Sequence, residues 1–100
     1  MDGALAQDNY NAARTIISST EMYIRPVAQD DFSGRWNALG QLEDPPSPEE
    51  FNAMTEIVKR ADGSATLTKI FKGLDPMPTH LKWRAAALMV QHNLVETKPA

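Results

Sequence analysis

The stretch SPEEFNAMTEIVKRADGSATLTKIFKGLDPMPTHLKWRAAALMVQHNLV, residues 47–95, reads as three successive helices and decides the fold. The first is expected over 48–61. Ser47 can cap free backbone N–H groups, Pro48 suits the first helical turn, and Glu50 follows Ser47 by three residues, the capping-box arrangement. Phe51, Met54, Ile57, Val58 and Ala61 recur at helical spacing as one apolar stripe. Asp62-Gly63 ends the helix, because glycine takes the left-handed conformation that helix C-termini commonly use. Ser64 or Thr66 can cap a second helix, from Leu67 to about Leu74. There Leu67, Ile70, Phe71 and Leu74 fall at i, i+3, i+4 and i+7, a core-facing stripe. The two prolines of Asp75-Pro76-Met77-Pro78 stop any continuation.

A third helix is expected from His80 to about Gln91, capped by Thr79. Leu81, Ala85, Leu88 and Met89, with His92 beside them, form its inner stripe. The run Ala85 to Ala87 favours helix and allows a neighbouring helix to approach closely. Asn93 suits a left-handed cap. Leu94-Val95 then starts an extended segment returning to the core.

The order of these elements resembles winged-helix and helix-turn-helix domains. The residues that carry the likeness are Ile57-Val58 before Asp62-Gly63, Thr66-Leu67 through Ile70, Leu81 through Val90, and His92-Asn93-Leu94-Val95. The resemblance covers about half the chain and is a pattern of residue types. It implies a mainly α fold, with a three-helix core, an N-terminal helix and a minimal β-sheet. The chain has five residues after Val95, which leaves no room for a C-terminal wing hairpin, so a sheet must borrow a strand from the N-terminal half.

That half supplies a candidate. Residues 21–27 alternate like a strand, with Met22, Ile24 and Pro26 on one side and Tyr23, Arg25 and Val27 on the other. Pro26 marks an edge or an end. The expected partner is Leu94-Val95-Glu96-Thr97. Before it, residues 1–20 read as a helix with Leu5, Ala6, Tyr10, Ala13, Ile16 and Ile17 along one side. This helix either packs on the trio, the favoured expectation, or pairs with its copy in a homodimer. After the strand, Asp30 or Asp31 can cap a short helix carrying Phe32, Trp36 and Leu39. Residues 43–47 are a turn-rich connection.

One hundred residues suit a single domain, 1–100, with residues 1–46 preceding the 47–97 core. With no cysteine, a disulfide scaffold, a thiolate metal site and a cysteine nucleophile are excluded. No run is long and apolar enough to span a membrane, and the N-terminus lacks the form of a secretion signal. A cytoplasmic protein with no membrane partner is the expectation. His80 and His92 are the only histidines. Twelve residues apart on a helix, they point about 120° away from each other and do not make one metal site. The adjacent acids Asp30-Asp31, Glu43-Asp44 and Glu49-Glu50 suit capping and solvation, not convergence on a substrate. Neither a nucleophile elbow nor a phosphate loop is present, so neither enzymatic activity nor a cofactor is expected.

Charge is divided unevenly. Residues 1–50 carry three arginines against nine acids, and residues 51–100 seven cations against four acids, for a total of −3. A mildly basic second half supports one reading, a small and dimeric DNA-binding transcriptional regulator. In that reading the third helix enters the major groove through the line of His80, Arg84, Ala87 and Gln91, with Lys82 beside it. Arg84 pairs with guanine and Gln91 with adenine by residue type. Lys69 and Lys72, with Lys59, meet phosphates. The acidic total supports another reading, an adaptor or inhibitor that binds a protein. Its candidate surface is Trp83 with Val90, since tryptophan is a favoured interface anchor. The bland counterpart is that Trp83 covers the core beneath the N-terminal segment.

Overall fold

The computed structural model describes the backbone of residues 2–100 and the side chains of residues 8–100. Five helices and two strands follow in the order α1 (Asp2–Ser19), β1 (Met22–Pro26), α2 (Gln29–Leu39), α3 (Pro48–Arg60), α4 (Leu67–Gly73), α5 (Thr79–Gln91) and β2 (Val95–Pro99). The fold is mainly α with a small two-stranded antiparallel sheet.

The local signals of residues 47–95 translate closely into backbone. Ser47 accepts a hydrogen bond from the Glu50 N–H, and the Glu50 carboxylate accepts one from the Ser47 N–H, which closes the capping box. Gly63 takes φ 86° after α3, a conformation that disfavours any side chain. Thr66 caps α4 by accepting from the Lys69 N–H. Asn93 turns the chain out of α5 at φ 57°. Two expected caps differ. Thr79 is the first residue of α5, preceded by Pro78, and makes no cap bond. Asp30 and Asp31 lie inside the first turn of α2, behind Ala28, where they favour the positive helix end without capping it.

The core takes Met54 and Ile57 from α3, Leu67, Ile70 and Phe71 from α4, and Leu88 and Met89 from α5. Leu74, Ala61, Leu94 and Val95 complete it from the connections and β2. Phe51, Val58 and Leu81 pack against it half-buried. In α1, Ala13 and Ile17 are buried and Tyr10 is half-buried, whereas Ile16 is 45% exposed and leaves the expected stripe. Leu5 and Ala6 lie outside the described side chains. The helix packs along α5 in its own chain. A homodimer through α1 would be left with the face that carries Ile16.

The strand borrowed from the N-terminal half is β1. It pairs antiparallel with β2, with Ile24 opposite Thr97 and Arg25 opposite Glu96. On its other side Tyr23 bridges Thr66, and the Gly63 N–H donates to the Ile24 carbonyl. Met22 and Ile24 face the core, while Arg25 is exposed and paired with Glu96 at 2.6 Å.

The middle of α5 departs most from an amphipathic helix. Ala85, Ala86, Ala87, Leu88 and Met89 are all buried. Five consecutive residues at about 100° each cover the full circumference of a helix. This middle stretch of α5 is therefore enclosed on every side, with α1, α3 and β2 among the neighbours of the helix. The expected outward line through Ala87 does not exist, because Ala87 is fully buried.

Candidate functional site

The N-terminal half of α5 meets α1 and the start of α3 in a cleft of about 440 Å³. Tyr10 and Arg14 come from α1, Ser47, Glu49 and Glu50 from the start of α3, and His80, Leu81 and Arg84 from α5. Short-range rules put each side chain there. Tyr10 and Arg14 are four apart on one helix face, as are His80 and Arg84. The capping box holds Glu50 at the head of α3.

Arg84 is the centre of this cleft. Its Nε donates to Glu50 Oε2 at 2.5 Å, and its guanidinium lies 4.6 Å from the centre of the Tyr10 ring. Three segments distant in sequence are thus joined by one side chain. Burial works against the Arg84 charge, but the hydrogen bonds with Glu50 and Tyr10 outweigh it and raise its pKa. A second cation, Arg14, lies 4.8 Å above the Trp83 ring. Its Nη1 is buried without a hydrogen-bond partner, so the electron-rich ring face is what offsets its desolvation.

Of the six residues expected to contact DNA, Lys69 and Lys72 are exposed on α4 and His80 is exposed on the first turn of α5. Gln91 is half-buried, and Arg84 is occupied as described. Lys82 departs most from its expected place beside an outward line. It is 4% exposed and forms an ion pair with Asp75, in the connection before α5. The exposed Asp75 carboxylate neutralises this buried ammonium at the protein boundary.

The two residues expected to anchor a partner, Trp83 and Val90, are half-buried against the core. Trp83 meets Phe71 edge-on, with ring centres 4.9 Å apart, and Arg14 of α1 roofs its face. Trp83 covers the core beneath the N-terminal segment.

A second aromatic group joins α2 to α3. Phe32 and Trp36 stack at 5.5 Å on α2, and Trp36 meets Phe51 of α3 edge-on at 5.4 Å. All three are half-buried, and on α2 the buried residue is Leu39. The i, i+4 spacing of Phe32 and Trp36 was a signal in the sequence. Nothing in it joined them to Phe51.

Acid titration should reveal the cleft. Burial disfavours the Glu50 charge, but the hydrogen bond from the Ser47 N–H and then the Arg84 guanidinium prevail, so its pKa falls below the ordinary 4.5. A carboxyl with a lowered folded pKa adds stability that is present above its unfolded value and is lost as pH falls through the folded one. Glu50→Gln should therefore flatten the acid limb of stability against pH, measured by urea unfolding between about pH 7 and about pH 3. His92 has its pKa lowered from 6.5 by burial. It adds a separate decline that begins as pH drops below that value and survives in Glu50→Gln.

Among the described residues no cluster of three or more histidines or carboxylates could hold a metal ion, and no helix is long and apolar enough to cross a membrane. Neither a family profile, a curated protein nor a solved structure matches the chain.

Proposed function

We propose that this chain is a protein-interaction adaptor or inhibitor of winged-helix-like order that does not read nucleic acid through α5. One observation carries the reading: the helix that would enter a groove is buried around its whole circumference from Ala85 to Met89. A groove-reading helix needs one free face. Two of its cations are also already matched, Lys82 by Asp75 and Arg84 by Glu50. The excess of acid over base in residues 1–50 adds to this, because it favours a partner presenting basic residues over a polyanion. The order α3, α4, α5, β2, with β1 as the borrowed strand, supports the winged-helix-like part of the proposal. A cytoplasmic location belongs to the same proposal.

The half-buried Phe32 and Trp36 on α2, next to exposed Asp30 and Asp31, form the face best suited to such a partner. Aromatic anchors within a charged rim are typical of interface centres.

Titration of a labelled random-sequence DNA duplex at low and moderate salt tests the proposal. No salt-dependent binding is expected at low salt. Binding whose logarithm falls with log salt at about one unit of slope per phosphate contact would return the DNA-binding regulator, with Lys69, Lys72 and His80 as its first candidates.

A further inference from the structure

The free edge of β2 carries a self-complementary pattern. Among the described residues β2 pairs with one strand, β1. Antiparallel ladders alternate between residues that exchange hydrogen bonds with the partner strand and residues that point their N–H and C=O away from it. The Val27 N–H donates to the Leu94 carbonyl, and the Ala100 N–H to the Glu21 carbonyl. Continuing that alternation inward, Glu96 and Lys98 turn their backbone groups toward β1. Val95, Thr97 and Pro99 turn theirs away from β1, with Val95 at the buried end of the strand. Thr97, Lys98 and Pro99 are exposed.

We propose that a second copy of this chain pairs with that edge, β2 against β2 about a two-fold axis at Thr97. Strand geometry leaves three two-fold registers centred on residues 96, 97 and 98, because the outward-pointing residues must face each other. Centring on 96 puts Glu96 opposite Glu96 of the second copy, and centring on 98 puts Lys98 opposite Lys98. Each places like charges directly across a ladder, which is destabilising. Centring on 97 places Glu96 opposite Lys98 and Lys98 opposite Glu96. These fall at the narrow, non-hydrogen-bonded positions, where side chains of an antiparallel pair come closest.

The backbone fits the same register. The two Thr97 residues exchange both of their hydrogen bonds across the axis. Each Val95 N–H faces the Pro99 carbonyl of the other copy. Pro99 lacks an N–H, so one bond is forgone at each end and none at the centre. The result is a four-stranded antiparallel sheet in the order β1-β2-β2-β1. On its exposed face Arg25, Glu96 and the other copy's Lys98 alternate in sign. A proline and a lysine near the end of an edge strand discourage open-ended pairing. A two-fold pairing consumes the edge and closes, as isologous contacts do. The proposal does not depend on the adaptor reading.

Sedimentation of the full chain over a range of concentrations tests it, with circular dichroism as the check on folding. The unaltered chain is expected to dimerise. Thr97→Pro removes the N–H that points away from β1, so the ladder within each protomer keeps its bonds. It should raise the dimer Kd by about tenfold or more.

The register itself is tested by two charge reversals. Lys98→Glu sets Glu against Glu96, and Glu96→Lys sets Lys against Lys98, so each variant alone should sediment as a monomer at concentrations where the unaltered chain is dimeric. An equimolar mixture of the two restores opposite charges at both positions and should form the heterodimer. An unaltered chain that stays monomeric at about millimolar concentration would overturn the proposal. So would a dimer unaffected by either charge reversal. Should Thr97→Pro fail to fold, the charge-reversal pair decides the matter.

Discussion

Phe71→Ala is expected to lower the unfolding free energy by about 3–5 kcal/mol, the usual cost of truncating a buried aromatic ring. Phe71 is 8% exposed and lies on α4, which spans seven residues. A helix that short has little stability of its own and depends on packing. Its ring fills the space beneath Trp83, 4.9 Å between centres and nearly perpendicular. Truncation removes the apolar area and the edge-on contact together. It also leaves Trp83 without support between Phe71 and Arg14. Urea unfolding by fluorescence suits the test, since Trp83 reports on this contact. A loss below about 1 kcal/mol would mean that α4 is held by something other than its Leu67, Ile70, Phe71, Leu74 stripe.

Ala86→Leu is the second large effect. In a helix with one solvent face, two of three consecutive alanines could accept a larger side chain at little cost. Here Ala85, Ala86 and Ala87 are 0%, 2% and 0% exposed. Extra methylenes in a closely packed interior typically cost about 1–3 kcal/mol, and more where backbones must separate. We expect Ala86→Leu to cost at least the upper part of that range, because α5 is buried around its whole circumference from Ala85 to Met89. Ala86→Gln at an exposed helical position would be nearly neutral, so the pair of variants separates an enclosed helix from a surface one. Should both prove neutral, the enclosure of α5 fails and with it the argument against a groove-reading helix.

The two variants differ in how far the sequence foretold them. The Phe71 stripe has a 3.6-residue period within eight residues, and its burial was readable from spacing. The enclosure of Ala86 was not. A run of alanines is equally at home on a solvated helix and in a crowded one. Periodicity identifies one buried face, whereas the middle of α5 is buried on all of its faces. The same limit explains Lys82. A lysine off the main apolar stripe reads as a solvated cation until Asp75, seven residues earlier, is found beside it. Arg84 reads as a free guanidinium until Glu50 and Tyr10, 34 and 74 positions away, close on it.

Features whose physical cause lies within four or five residues could be read directly. These include the Ser47–Glu50 capping box, the Thr66 cap, the positive φ of Gly63 and Asn93, and the apolar stripes of α3 and α4. Hydrogen-bond geometry and helical spacing act over that range and need no other part of the chain. The pairing of residues 21–27 with residues 94–97 could be anticipated as well, from strand alternation and an extended exit from α5, and it forms between Met22–Pro26 and Val95–Pro99. Which cations remain available to a ligand is a different kind of property. It depends on the side on which α1 and α3 approach α5, and so on packing among segments far apart in the chain. That packing leaves Lys69, Lys72 and His80 at the surface, buries Lys82, pairs Arg84 with Glu50, and leaves β2 with one strand neighbour among the described residues.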